Sequence, residues 1–232
     1  MVLNKPTGLV MHGDGKSDEV SLADLVLKEY PLLKEVGEPM EFRGKRVMRP
    51  GIVHRLDKDT SGLVVVAKDQ ATFLSLKRQF QAREVKKTYL ALAHGSMKDD
   101  KGRIDRPLGR SPKNFREMSA HKSARGTLRD AVTNYRVIGR FAAEGAEFSY
   151  LELTPETGRT HQLRAHLKFV NHPIVCDPLY AGKRGCALGL SRLALHAARL
   201  EFRLPDGRTI TAEAPLPADL ATVLPKSLPR LV

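Results

Sequence analysis

The run His54-Arg55-Leu56-Asp57-Lys58-Asp59-Thr60-Ser61-Gly62 passes directly into Leu63-Val64-Val65-Val66-Ala67-Lys68, and this junction decides how the chain is read. Polar and turn-forming residues feed a continuous apolar, β-branched run. A short run of that kind predicts a buried strand over residues 62–68. A carboxylate delivered to the start of a buried strand is held at a fixed point on a rigid scaffold. Arg55 and Lys58 flank Asp57 and favour its ionised form. An ionised Asp can act as nucleophile, base or electrostatic stabiliser, and not as a general acid near neutral pH. The same residues also fit an Asx-turn in which Asp57 or Asp59 bonds local backbone N–H groups. The local pattern leaves both readings open.

Working outward, Asp69 is placed to cap a helix with Phe73, Leu76, Lys77 and Phe80 along one stripe. Residues 86–94 alternate up to Gly95, a strand with Tyr89, Ala91 and Ala93 on one face and Leu90 and Leu92 on the other. Upstream, Val2 and Leu3 run into the turn Lys5-Pro6-Thr7-Gly8, and residues 21–30 place Leu22, Leu25 and Val26 on one helical face before Pro31. Downstream, 131–138 and 147–154 alternate as strands, and 160–170 carries Leu163, Leu167 and Val170 at helical spacing. Leu200, Phe202 and Leu204 alternate into Pro205-Asp206-Gly207 and 209–213 alternate out, a hairpin, with a short helix around 217–224. Hairpin-like strand pairs mixed with helices predict an α+β fold with a mainly antiparallel sheet. There is no internal repeat, and neither a G-x-G-x-x-G nor a Walker loop.

Length and composition bound the function. The 232 residues, 41% hydrophobic, suit one large or two modest domains with a core of their own and exclude disorder. The longest apolar runs fall far short of the ~18–20 residues of a membrane span, and the N-terminus lacks a basic-then-apolar export segment. Cys176 and Cys186 cannot supply a disulfide framework; reduced thiols and a cytoplasmic location are expected. Against 26 Asp+Glu stand 39 Lys+Arg, a net +13. Such an excess favours a polyanionic partner, most often nucleic acid. Within 101–130, nine basic side chains face only Asp105, Glu117 and Asp130, with Gly and Pro interleaved. That segment reads as a basic insertion, a loop or ribbon rather than a core element, and it favours nucleic acid over a merely solvated face.

A second polar cluster, Thr157-Gly158-Arg159-Thr160-His161-Gln162-Leu163-Arg164-Ala165-His166, joins a strand to a helix, with Gly158 expected to supply the turn. His161 and His166 are five apart, about 140° around a helix, so they do not share a metal; capping and packing are expected of them. Cys176 and Cys186 lack the paired short spacings of a zinc site. Arg159 and Arg164 oppose the dipole of a helix start, which suggests that they face an anion or a carboxylate. No nucleophilic triad emerges, since Ser61 stands in Thr-Ser-Gly rather than G-x-S-x-G. Tyr89, mid-strand, is by default a packing residue.

Taken in order, these segments resemble the RluA-type family of RNA pseudouridine synthases. The likeness rests on residues 54–62 and on Leu3-Asn4-Lys5-Pro6-Thr7-Gly8, Lys87-Thr88-Tyr89 with Gly95, and residues 157–166. It continues through Asp177-Pro178-Leu179-Tyr180 with Gly182 and Leu195-His196-Ala197, and spans about residues 2–215. The resemblance implies an α+β fold whose mixed, mainly antiparallel sheet is in two halves flanked by helices, with an active cleft between them. It implies isomerisation of uridine to pseudouridine in structured RNA, ribosomal RNA first and transfer RNA second, by a monomer using no metal or other cofactor. Asp57 would be the catalytic carboxylate, Arg164 the arginine that pairs with it, and Tyr89 the tyrosine beside the target base. Arg55 would fill the space left by a flipped uridine, with His54, Thr60, Arg159 and Leu163 also at the substrate. Residues 1–232 would form one catalytic domain with a basic insertion at about 97–130. Many members carry an N-terminal RNA-binding domain of S4 type, absent here, and Met1 stands almost on the first motif, so a fragment of a longer protein is expected. Two rivals are a catalytically silent RNA-binding module and a glycosidase using Asp57 and Asp59. The retained Asp57, Tyr89 and Arg164 argue against the first. The adjacent loop positions of the two carboxylates, and the lack of any Trp, argue against the second.

Overall fold

The buried strand predicted at 62–68 is present as Ser61–Val65, buried along its whole length, and ends three residues earlier than the sequence pattern suggests. The computed structural model describes residues 1–13, 19–42, 45–47 and 49–230. They fall into two units: Met1–Lys86 with Arg199–Ala214, and Lys87–Ala198 with Pro215–Val232. In chain order the first contains β1 (Val2–Lys5), α1 (Leu22–Glu29), β2 (Met40–Phe42), β3 (Lys45–Val47), β4 (Ser61–Val65) and α2 (Gln70–Gln81). From the second come β5 (Lys86–His94), β6 (Lys101–Asp105), β7 (Leu108–Arg110), β8 (Met118–Ser119), β9 (Arg125–Arg129), β10 (Val132–Ala143), β11 (Ala146–Pro155) and α3 (Gln162–Phe169). Strand β12 (Leu195–Arg203) starts in the second unit and ends in the first, β13 (Thr209–Glu213) returns beside it, and α4 (Ala218–Thr222) closes the second unit. The class is α+β with mainly antiparallel pairing, as expected.

In the first unit β1 runs antiparallel to β4, from Val2 opposite Val65 to Lys5 opposite Gly62. Helix α1 starts with a capping box between Ser21 and Asp24. Leu22 and Val26 are buried, but Leu25 is 43% exposed, so the apolar stripe is narrower than the sequence suggests. Asp69 caps α2 by accepting the Thr72 N–H at 2.8 Å, and Phe73 and Leu76 are buried. Gln79, also buried, exchanges two hydrogen bonds with the Arg203 backbone at 2.7 and 2.8 Å, tying α2 to the β12–β13 hairpin. Gly51 adopts φ +64°, and a Cβ there would lie 2.1 Å from the Ala67 carbonyl oxygen, so only glycine fits.

In the second unit β5, β11, β10 and β6 pair in that order, all antiparallel. The β10–β11 hairpin turns at Glu144-Gly145, both left-handed, and a bulge between Val137 and Gly139 shifts its register. Leu90, Leu92, Leu151, Leu153, Leu167 and Ile174 form the centre of the core. Two expectations are corrected here. Residues 101–105 of the basic segment are a sheet strand with Ile104 buried, and only 108–129 form a separate three-stranded ribbon, β8-β7-β9. That ribbon is anchored by Leu108, packed with Ala120, Ala131, Ala165 and Tyr180. The cysteines are not free thiols: Cys176 and Cys186 are disulfide-bonded with Cα atoms 4.0 Å apart. A short 3₁₀ turn at Gly182–Arg184 and a left-handed Gly185 fold the chain back, and the Cys176 N–H donates to the Gly185 carbonyl at 3.3 Å.

Candidate active site

In the first unit the loop carrying Asp57 is braced by the residues that end β1. Lys5 is 1% exposed, and a buried ammonium is costly unless its donors are met. Its Nζ donates to the carbonyls of Pro6 and Leu9 at 2.8 Å and of Lys58 at 2.9 Å, one acceptor for each N–H. The Gly8 N–H donates to the same Lys58 carbonyl at 3.0 Å, and the Thr7 hydroxyl to the Asp59 carbonyl at 2.8 Å. Within the loop the Thr60 N–H closes a turn on the Asp57 carbonyl at 3.1 Å. Leu56, Thr60 and Ser61 are buried while Asp57 is half-buried and Arg55 exposed. The loop thus turns its apolar and hydroxyl residues inward and leaves the carboxylate and the guanidinium near its surface.

Two further first-unit groups complete this setting. His54 accepts the Val65 N–H on Nε2 at 2.9 Å and stacks on Phe80, ring centroids 4.6 Å apart, which fastens the loop to β4 and α2. The Arg49 Nε–H donates to His12 Nε2 at 3.0 Å. Burial, reinforced by the charges of Arg49 and Arg55, pushes the His12 imidazole down to about 4, so it is neutral at physiological pH.

The second unit gathers the other motif residues around α3. Gln162, rather than Gly158, holds the strand-to-helix turn. Its Oε1 accepts the Thr157 hydroxyl at 2.6 Å and the Arg159 N–H at 3.0 Å, and its Nε2 donates to the Val132 carbonyl at 2.9 Å. Gly158 is not among the positive-φ residues; His161 is, at +53°. His161 occupies the N-cap position without capping, and its Nδ1 lies 3.0 Å from the Tyr180 hydroxyl. His166 is a packing residue, bound to the Thr133 hydroxyl at 2.9 Å and the Arg106 carbonyl at 3.0 Å, and burial lowers its pKa.

Arg164, as its opposition to the helix dipole suggests, faces a carboxylate. Nε and Nη2 donate to Asp177 at 2.7 and 2.8 Å in a fully buried, two-point pair. Asp177 Oδ1 also accepts the N–H groups of Leu179 and Tyr180, each at 3.0 Å, so one side chain fixes both the guanidinium and the following turn. The guanidinium lies over the Tyr180 ring at 5.0 Å. The Tyr180 hydroxyl accepts the Met118 N–H at 2.7 Å, and burial raises its pKa far above the ordinary phenol range. The Arg159 Nε–H donates to the Asp130 backbone carbonyl at 3.1 Å. Tyr89 is half-buried opposite Leu153, and Leu163 packs in the core.

His54, Arg55, Asp57 and Thr60 therefore stand together in the first unit, and Tyr89, Arg159, Leu163 and Arg164 in the second. Sequence reasoning missed Lys5, Gln162 and Asp177 as bracing residues. Asp177 had a signal, an Asp-Pro that reads as a turn followed at the third position by Tyr180. Among the described residues no three His, Cys, Asp or Glu side chains gather to hold a metal.

The family of RNA pseudouridylate synthases matches residues 1–169 of the chain. An uncharacterized RNA pseudouridine synthase from Chloroflexus aurantiacus is 43% identical over 222 residues, 95% of this chain and 64% of that protein. The ribosomal large subunit pseudouridine synthase D of Neisseria meningitidis serogroup B is 40% identical over 235 residues, 97% of this chain and 58% of the relative. The solved structure of human RNA pseudouridylate synthase domain containing 1 superposes with a TM-score of 0.73 at 27% identity, covering 92% of this chain and 78% of the human one. This chain spans about three fifths of the length of those two bacterial relatives.

Proposed function

The chain belongs to the RNA pseudouridylate synthase family, and from that premise we propose that it isomerises a specific uridine to pseudouridine in structured RNA, with Asp57 as the catalytic carboxylate. The observation that carries the proposal is the half-buried Asp57 on a loop clamped by Lys5, Thr7 and Gly8, with exposed Arg55 beside it. A carboxylate carried on a clamped backbone loses little main-chain freedom when substrate arrives, which suits a group acting at one sugar carbon.

The reaction breaks the N1–C1′ bond, turns the detached uracil and joins C5 to C1′. The C5 hydrogen leaves as a proton and N1 takes one up, so no redox partner is called for. The target must leave its stack first, and Arg55 is assigned to the space it vacates. Arg164 is assigned to support the ionised aspartate and Tyr89 to receive the C5 proton. His54, Thr60, Arg159 and Leu163 are assigned to the substrate-binding surface, with His54 also fastening the Asp57 loop to β4.

Large-subunit ribosomal RNA is the favoured substrate, on the name of the Neisseria relative, with transfer RNA second. The chain is assigned as a monomeric catalytic domain working in the cytoplasm, where those RNAs are modified. No helix among the described residues is long and apolar enough to cross a membrane. Incubation with uridine-containing ribosomal and transfer RNA, followed by nucleoside digestion and chromatography, tests the reading. Pseudouridine is expected; unchanged uridine points to a silent binding module, and free base or sugar to a glycosidase.

A further inference from the structure

The second unit holds a cleft of about 850 Å³ between the basic ribbon and α3. None of the residues assigned above to chemistry lines it. Its cations are Arg106, Lys113, Lys122 and Lys168, against the single carboxylate of Glu117, which accepts the Asn114 amide at 2.9 Å. On its wall the Phe169 ring carries the Arg106 guanidinium 5.3 Å from its centroid and meets the His121 imidazole at 5.1 Å, the two rings tilted by 58°. His121 itself is exposed on a turn whose backbone is held by the Ser119 hydroxyl at 3.2 Å and by the Ala124 N–H at 2.9 Å. The ribbon wall is fixed in turn by the Met118–Tyr180 bond.

We propose that this cleft binds an unpaired nucleotide of the substrate RNA other than the target uridine, its base stacked on the exposed His121 imidazole beside Phe169 and Arg106 and its flanking phosphates held by Lys122 and Lys168. Charge alone would suit any polyanion. The planar groups decide for RNA, because aromatic and guanidinium faces pay off only against a base that is out of its own stack. Duplex RNA hides its base faces, and an acidic peptide has none. The volume suits one nucleotide with its adjoining phosphates. The inference rests on the assignment of RNA as substrate, and it deepens that assignment by adding a second recognition point.

The test compares a short single-stranded RNA with a base-less ribose-phosphate chain of equal length and charge. Stacking of one base contributes about five- to a hundredfold in affinity, so the intact protein should prefer the base-bearing strand by roughly tenfold. His121→Ala, at an exposed position, should erase most of that preference. Lys122→Gln with Lys168→Gln should keep the preference but make the salt dependence shallower by about 1.4 in slope, at roughly 0.7 for each phosphate contact of a single strand. Photocrosslinking with 4-thiouridine-substituted RNA should mark His121, Lys122 or Phe169. Equal affinity for the two chains, or crosslinks that all fall outside the cleft, would overturn the proposal. The isomerisation assay run on the same preparation separates the two readings. Pseudouridine formed without base preference sinks the cleft alone, and base preference without pseudouridine sinks the enzymatic reading alone.

Discussion

Replacing Asp177 by Asn probes the polar centre of the second unit. The carboxylate is buried, takes two charge-assisted bonds from Arg164 and two backbone N–H groups from the following turn. Asn can keep Oδ1 where it is, so the Leu179 and Tyr180 N–H groups and Arg164 Nη2 stay satisfied. Its amide nitrogen then replaces Oδ2 and meets the Arg164 Nε–H donor against donor at a position now occupied at 2.7 Å. One charge-assisted bond is lost, about 1.5–3 kcal/mol, and opposed donors in a buried site add about 1–3 kcal/mol. Relaxation takes part of this back, so Asn should cost about 3 kcal/mol, within the range for breaking a buried ion pair. For a chain of this size that lowers Tm by about 6–12 °C. Asp177→Ala, which also strips both turn N–H groups of their acceptor, should cost more. Urea unfolding is the assay, with the midpoint falling and the m-value unchanged. If both variants stay within about 0.5 kcal/mol of wild type, the buried pair is not what holds α3 to the turn, and the reasoning fails.

Three other outcomes follow from the same physics. His12 has a folded pKa of about 4 against the ordinary 6.5, so the unfolded chain takes the proton first: stability is greatest above the unfolded value and declines as pH falls toward 4. The full shift would be worth about 3 kcal/mol, cut to about 1–2 kcal/mol by partial exposure; His12→Gln should lose that part of the decline, and an identical decline in both proteins would refute it. Gly51→Ala, whose Cβ would strike the Ala67 carbonyl, should cost about 2–4 kcal/mol in thermal unfolding, whereas Gly145→Ala, left-handed but with open space around it, should cost about 1 kcal/mol; equal costs would show that the clash is not the cause. Neutralising Lys113, Arg116 and Lys122 together should weaken RNA binding and make its salt slope shallower by up to about 2, and an unchanged slope would show the ribbon to be ordinary solvated surface.

What was legible in the chain were the elements whose pattern is local. Strand β4 announces itself as an unbroken apolar run, β5 by its length of alternation to Gly95, and α2 by the Asp69 cap. Where burial comes from both sides or register shifts, the pattern fades. The first half of β12, Leu195-His196-Ala197-Ala198, is buried on both faces and shows no alternation. Strand β10 runs on to Ala143, past a bulge that resets its alternation at Ile138, which ends the readable pattern early. Lys101–Asp105 carries too many charges to look like a sheet member, yet Ile104 anchors it. The motif residues could be picked out, but their bracing could not. Lys5 serves a carbonyl 53 residues away, and Arg164 and Asp177 meet because the chain between α3 and the turn folds back on itself. Cys176 and Cys186 likewise meet through a 3₁₀ turn and a left-handed glycine that no spacing rule reveals.

The central claim is that the carboxylate of Asp57 does the chemistry. It is tested most directly by single-turnover release of tritium from RNA labelled at uridine C5, since that hydrogen must leave when C5 bonds to the sugar. Wild-type protein should release the label, while Asp57→Asn, nearly identical in shape, should release none and still bind the RNA close to normally. Tritium release by Asp57→Asn at a rate near wild type would contradict the account.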